Sequence, residues 1–173
     1  ALDQLLADPP DLVMASGGVS VGEEDHLRAV LEERGELDFW RLAIKPGKPF
    51  TFGRLGDAGV PFFGLPGNPS AVLVCYLMLV LPYLRRCLGV EPVLPAPQRL
   101  PAEFAVKPGP RQEYLRVRRV SRDGAVVLEK HPNQSSGMLS SAVWADGLAV
   151  APVDHGQAAG EPLDYYSFAD LLA

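Results

Sequence analysis

Four prolines within twelve residues, in VEPVLPAPQRLP from Val90 to Pro101, divide this chain into halves with different periodicities. Each proline fixes φ and removes a backbone donor, so neither a helix nor a central strand runs through the stretch. It reads as a semi-rigid linker. Before it, short apolar runs alternate with helical spacing. DLVMAS (11–16) is a buried strand that meets Gly17-Gly18, and EEDHLRAVLEER (23–34) places Leu27, Val30 and Leu31 on one side of a helix stopped by Gly35. ELDFWRLAI (36–44), PFTFG and VPFFGL are the next strands, and a long, mostly apolar helix runs from Pro69 or Ser70 to Leu88, closed by Gly89. Strands alternating with helices imply an α/β domain with a mainly parallel sheet over residues 1–89.

Beyond the linker the pattern is β. EYLRVRRV and AVVLEK flank SRDG, whose Asp123-Gly124 is a strong hairpin signal. GLAVAPV and EPLDYYSF supply further strands, and SSGMLSSAVWADG (135–147) holds room for one short serine-capped helix. Residues 90–173 are expected to form a small all-β domain, a barrel or a sandwich-like module. Its core is modest, so it is expected to lean on a neighbour. A single α/β crossover precedes the long helix, which is half of a doubly wound sheet. The chain is therefore expected to be the C-terminal part of a longer protein.

The 173 residues are 47% hydrophobic, enough for a real core, and the net charge of -5 argues against a nucleic-acid partner. The apolar run Ala71–Leu81 is too short to span a bilayer and ends at Pro82 and Arg85-Arg86. No signal peptide is visible at the start. Cys75 and Cys87, on one helix, lie beyond disulfide reach and form no metal-binding spacing. The expected setting is cytoplasmic, with no membrane. Charge is uneven: residues 1–40 carry ten acids against Arg28 and Arg34, whereas residues 85–122 carry nine basic groups against Glu91, Glu103 and Glu113. That bias fits two separately solvated surfaces, and it fits a basic wall facing an anionic ligand.

Three loops can carry chemistry. In KPGKP (45–49), Pro46 and Pro49 restrict the backbone around Gly47, so Lys45 and Lys48 become two point charges suited to an oxyanion. LPGNPS (65–70) opens the long helix with Pro69 in its first turn, and Asn68 suits unusual backbone angles or offers an amide to a ligand. SGGVSVGEED (16–25) sets glycines between a strand and a helix, as in an anion cradle and as in an ordinary turn. It is neither a GxGxxG fingerprint nor a Walker A loop. Glu23, Glu24 and Asp25 fit a helix start, and beside a bound phosphate they would need a bridging divalent cation such as Mg²⁺. Each loop follows an apolar strand, and in open α/β sheets ligands sit at the carboxyl ends of strands. His26, His131 and His155 are scattered; Trp40 and Trp144 read as core; Ser135, Ser136, Ser140 and Ser141 read as cap and turn residues.

SGGVSVGEEDH, FWRLAIKPGKPFTFG and GLPGNPS, in this order and spacing, resemble the molybdopterin molybdenumtransferase family (MoeA and the E domain of gephyrin). RQEYLRV and NQSSGMLSSAVWADGLAV extend the resemblance over nearly the whole chain. It implies a partial MogA-like α/β domain followed by a β-barrel-like domain. It also implies an enzyme that inserts molybdate into adenylylated molybdopterin and releases AMP with the help of Mg²⁺, working as a homodimer whose sites are shared between subunits. It assigns Ser16, Gly17, Gly18, Ser20 and Gly22, with Pro66, Gly67, Asn68 and Pro69, to the substrate crevice. Asp25 falls on the family's acidic metal position, and Lys45 and Lys48 on its lysines. Arg111 and Arg116 of the RxEYxR pattern and Ser136 of the Q-x-S turn are implied to close the crevice from above. Two departures stand out. The family's PGNPVS reads PGNPSA here, with Ser70 one position early and Ala71 in place of the serine. The family's further N-terminal domains and GDE-like strand have no counterpart in this sequence, so the chain is expected to hold part of a site. A MogA-type adenylyltransferase shares the α/β unit, but KPGKP and the β domain argue against it. A non-enzymatic scaffold of the gephyrin type would need neither the two lysines nor Asp25.

Overall fold

The computed structural model describes residues 2–17 and 26–173. A short helix α1 (Leu2–Ala7) precedes strand β1 (Val13–Ser16), and α2 (His26–Arg34) runs directly into β2 (Gly35–Arg41). Then come β3 (Ile44–Lys45), β4 (Pro49–Leu55), β5 (Val60–Leu65) and one continuous helix α3 from Pro69 to Cys87. The second half contains β6 (Gln98–Pro101), β7 (Gln112–Arg122), β8 (Ala125–Lys130), α4 (Ser140–Trp144), β9 (Gly147–Ala151), β10 (Pro162–Ser167) and α5 (Phe168–Leu172). Gln98–Pro101, expected as linker, is thus a strand. It pairs only with β10 along its length, a position that tolerates proline.

The first sheet has the order β1-β5-β4-β2. β1 and β5 are parallel, with Ser16 opposite Leu65, whereas β5–β4 and β4–β2 are antiparallel. The expectation of a mainly parallel sheet is corrected at these two pairs. The physical reason is connection length: Leu55 and Val60 face each other across a four-residue turn, far too short for a helical crossover.

The second sheet has the order β3-β7-β9-β10-β6, with β8 also on β7. Asp123 (φ 51°) and Gly124 (φ 81°) make the two-residue turn between β7 and β8, with Arg122 opposite Ala125. A bridge between Ala102 and Leu128, with the Glu103 N–H donating to Leu128 O at 3.0 Å, brings the ends of the sheet together. The barrel, of the two expected forms, is the one present. Leu115, Val117, Leu128, Ala149, Leu163 and Tyr165 fill it.

Helix α3 joins the two halves. Cys75 and Val80 pack with Phe50, Phe63 and Leu65 of the first sheet, while Val74 and Leu77 pack with Tyr114, Leu148 and Leu171 of the barrel side. This explains why the helix is apolar almost all round: it faces two cores. By length and hydropathy (1.5) it would also suffice to cross a membrane. Its middle, Tyr76–Val80, widens into a π turn in which the Leu81 N–H reaches back to Tyr76 O. The widened turn stands immediately before Pro82, whose ring and missing N–H disturb a regular α ladder. The expected helix in 135–147 is α4, but Leu139 rather than a serine occupies its N-cap, without a side-chain cap. Trp144, expected in a core, is half-buried, with the Arg118 guanidinium 4.5 Å from its ring centroid and His131 edge-on.

Because α3 serves both cores, Leu77→Ala should destabilise the chain by about 2–5 kcal/mol. Urea unfolding followed by far-ultraviolet circular dichroism should keep a single transition shifted to lower urea. Two separated transitions, with the barrel unaffected, would show that the barrel does not depend on the helix.

Candidate functional site

The two Pro-Gly turns meet although they leave different sheets. KPGKP begins on β3, which pairs in parallel with β7 of the barrel sheet (Lys45 opposite Glu113), and ends on β4 of the first sheet. LPGNP follows β5, the antiparallel neighbour of β4, so it emerges at the edge where β4 begins. The Leu42 N–H donates to Lys48 O at 2.8 Å and closes the base of the KPGKP turn.

Gly47 is buried at the floor of this turn with φ +120°. A Cβ there would lie 2.7 Å from Cys75 Sγ and 3.1 Å from Ile44 Cδ1, so both backbone conformation and space demand glycine. The buried Cys75 thiol contacts Gly47 O at 3.9 Å. Helix α3 thus supports the turn from below.

Between the turns lies an open cleft of about 390 Å³. Its walls include Lys45, Lys48, Pro66, Asn68, Arg111 and Ser136 of the expected residues. Ser16, Gly17, Gly67 and Pro69 stand beside it rather than in its walls. Gly17 donates to Leu65 O at 3.1 Å, and the Gly17 and Gly67 backbones approach closely, as two turns at adjacent parallel strand ends must. Gly18, Ser20, Gly22 and Asp25 lie outside the described residues, so the Gly-Gly cradle and the metal position are not described beyond Gly17.

The two lysines differ. Lys45 Nζ pairs with Glu113 Oε1 at 2.9 Å. Lys48 is exposed, and among the described residues no carboxylate pairs with it. Arg111 is half-buried, with Nη1 directed at Ile44 O at 3.4 Å. Asn68 has ordinary extended backbone angles (φ −77°, ψ 126°), so it is not present for an unusual conformation. Its carbonyl accepts from Ala71 and Val72, while its side chain makes no cap bond and the residue lines the cleft wall.

Arg116 sits differently from what the resemblance implies. It is fully buried behind the cleft, where Nε donates to Ser141 Oγ at 3.1 Å and Nη2 to Ser135 O at 3.0 Å. A buried guanidinium must find acceptors, and the carbonyl of the 134–136 loop supplies one. Burial pulls its pKa below the usual arginine range, against the opposing effect of Glu113. Gln134 reinforces the same loop: its Oε1 accepts from Arg116 N at 2.9 Å and its Nε2 donates to Arg116 O at 2.9 Å. The displaced serine also has a place. Ser70 is buried, its N–H donating to Ser136 O at 3.0 Å and its Oγ to Met138 O at 2.8 Å. Its hydroxyl ties the helix start to the loop above the cleft, and Ser70 is not among the residues of the cleft wall.

The basic bias of residues 85–122 is mostly a solvated surface. Arg86, Arg99, Arg118, Arg119 and Arg122 pair with Glu91, Asp164, Glu129, Asp146 and Glu103. Of the nine groups, Arg111 is the one in this cleft's wall. Gln134 and Ser135 are cleft residues that residue-level reading passed over, and the first half of the Q-x-S turn was the signal for them.

The family described as "Probable molybdopterin binding domain" matches residues 1–86, and the "MoeA C-terminal region (domain IV)" matches residues 99–168. The chain belongs to the MoeA family. The molybdopterin molybdenumtransferase of Haemophilus influenzae is 37% identical over 169 residues, covering 94% of this chain and 41% of that protein. The molybdenum cofactor synthesis protein cinnamon of Drosophila melanogaster is 37% identical over 149 residues, covering 82% of this chain and 24% of that protein. A solved molybdopterin biosynthesis MoeA protein from Pyrococcus superimposes with a TM-score of 0.73 at 30% identity, over 96% of this chain and 39% of that one. This MoeA-family chain therefore spans about two fifths or less of these relatives.

Gly47→Ala should lower stability by about 1–3 kcal/mol through strain and the contact with Cys75. Thermal unfolding checks it, and an unchanged midpoint would remove Cys75 and Gly47 as the floor of the turn. Burial pushes the Cys75 thiol from 9.0 up to about 12. The folded state thus favours the protonated thiol, a contribution present below pH 9 and lost as pH rises toward the folded value. Iodoacetamide at pH 8 should label the exposed Cys87 in the folded chain and Cys75 only after unfolding, as peptide mass mapping would reveal.

Proposed function

We propose that this chain carries the anion-holding part of an enzyme that inserts molybdate into adenylylated molybdopterin and releases AMP. The observation that carries the reading is the convergence of two stiff Pro-Gly turns on one cleft, with Lys48, Arg111 and the Asn68 amide at its walls. Fixed cations without a local carboxylate partner suit a tetrahedral oxyanion or a phosphate, and Lys48 meets that description best. A relative named molybdopterin molybdenumtransferase, alike over almost all of this chain, supports the choice of substrate class.

In this reading Mg²⁺ is held by Asp25. The donor set fits a hard cation, because Glu23, Glu24 and Asp25 offer carboxylate oxygens directly after Gly22, four residues beyond the Gly-Gly pair. No group of three or more metal-ligating side chains occurs among the described residues, and Glu113 is committed to Lys45. When bound, the cation would neutralise phosphate charge beside the carboxylates. The chain's own part is to hold the oxyanion at Lys48, to orient the phosphate-bearing ligand through Asn68 and Arg111, and to keep the 134–136 loop over the cleft.

We further propose a homodimer for the full-length protein and a cytoplasmic setting without a membrane. Both cysteines are unpaired and Cys87 is exposed, which suits a reducing compartment. Sedimentation of the full-length protein tests the dimer, and cell fractionation tests the location.

Titration with molybdopterin, with and without its adenylyl group, tests the cleft. Lys48→Ala should weaken binding about tenfold, more at low salt, and Lys45→Ala less, because Lys45 already shares its charge with Glu113. Unchanged affinity in both variants would sink the oxyanion role. In the full-length enzyme Asp25→Ala should abolish Mg²⁺-dependent turnover, and full turnover by that variant would remove Asp25 from the mechanism.

A further inference from the structure

A second hollow, of about 530 Å³, adjoins the cleft and shares Lys45, Arg111 and Gln134 with it. Its far wall is the turn Lys107-Pro108-Gly109-Pro110, which repeats the lysine and the Pro-Gly pair of KPGKP. Lys130, at the end of β8, stands on the same wall. Four cations therefore surround one hollow whose lining holds a single carboxylate, Glu113.

The turn is held on both sides. Val106 and Gln157 exchange backbone hydrogen bonds at 2.8 and 2.9 Å, and the Asp154 N–H donates to Gly109 O at 2.8 Å. Among the described residues no carboxylate pairs with Lys107. Lys130 places its ammonium 4.8 Å from the Phe104 ring centroid, a contact that positions the charge without neutralising it. Elsewhere on the barrel the arginines at positions 99, 118, 119 and 122 each have a carboxylate partner. Lys107 and Lys130 are thus cations of this hollow without a carboxylate partner among the described residues, and their field favours an anion there.

We propose that this second hollow binds a phosphoryl group, the second anionic group of a ligand whose first lies in the KPGKP cleft. Lys107 and Lys130 contact it, and Lys45 and Arg111 stand between the two positions. The inference rests on the proposed function in one respect: it assigns this hollow to the phosphate that departs on the nucleoside. Two phosphoryl groups joined through one oxygen lie side by side, as two hollows that share Lys45, Arg111 and Gln134 would require, and a lone oxyanion needs only the first.

Calorimetric titration of the chain with AMP, adenosine, inorganic phosphate and molybdate tests this, using Lys107→Ala/Lys130→Ala, the paired Lys→Arg variant, and Lys48→Ala. The double alanine variant should lose about tenfold in AMP affinity and keep its molybdate affinity, and the double arginine variant should restore AMP binding. Lys48→Ala should show the reverse preference, losing molybdate. Phosphate should follow AMP, and adenosine should bind none of the proteins. Equal AMP affinity in the unsubstituted and double alanine chains, or no AMP binding by the unsubstituted chain, overturns the second hollow. Loss of molybdate dependence on Lys48 overturns the first cleft alone. Unfolding midpoints within a few degrees of the unsubstituted chain establish that the variants are folded.

Discussion

The buried Arg116 guanidinium is the contact on which the cleft depends. It sits at the middle of β7, the strand that pairs with β3, β8 and β9, and a charge there must be met by fixed acceptors. Ser141 Oγ and Ser135 O meet it. Ser141 in turn donates to Met138 O at 2.6 Å, and that same carbonyl accepts from Ser70 at the start of α3. One chain of hydrogen bonds thus runs from the barrel through the 134–138 loop into the first turn of the long helix. The loop that roofs the cleft is set by it, and so is the separation of the two halves. One buried nitrogen, Nη1, has no partner among the described residues, which leaves the network polar at its heart.

Helix α3 performs the complementary task from below. Its start carries Asn68 and Ala71 to the cleft, Cys75 presses on the floor of the KPGKP turn, and Val74 and Leu77 hold the barrel. Because β3 belongs to the barrel sheet and β4 to the first sheet, the KPGKP turn itself bridges the halves. A relative shift of the halves would therefore deform the lysine turn and the Ser70 contact together. Rigid turns alone would not position two lysines; they are positioned because each end of the turn is built into a different sheet.

Local signals in the sequence described local structure well. Asp123-Gly124 became the hairpin turn, the apolar run from Pro69 became α3, and the Lys-Pro-Gly and Pro-Gly-Asn turns did come together. What the sequence hid was pairing direction and partner choice. The strands PFTFG and VPFFGL look the same whether they pair parallel or antiparallel, and only the length of the turn decides. Arg116 and Arg111 stand five residues apart in one motif, yet Arg111 precedes β7 and stays at the cleft, whereas Arg116, between the barrel-core residues Leu115 and Val117, faces the other side of the strand and is covered by the 134–141 segment. Ser70 looked like a displaced ligand contact because its acceptor, Met138 O, is 68 residues away. The domain split legible at the proline-rich stretch likewise missed β3, whose two residues join the far sheet.

The electrostatics of the site follow from what is cancelled elsewhere. Composition alone describes an acidic chain with a basic middle, which predicts nothing about where an anion would bind. Five arginines of that middle are neutralised at the surface by nearby carboxylates, most of them only partly exposed pairs screened by solvent. Lys45 lies between the two regimes, half-exposed and paired with Glu113. Lys48, Lys107 and Lys130 have no such carboxylate among the described residues, and all three border the hollows between the turns. In the proposed reading, attraction for an anion comes from selective neutralisation: carboxylates quiet the outer arginines, and Lys48, Lys107 and Lys130 are left beside rigid proline turns without such partners.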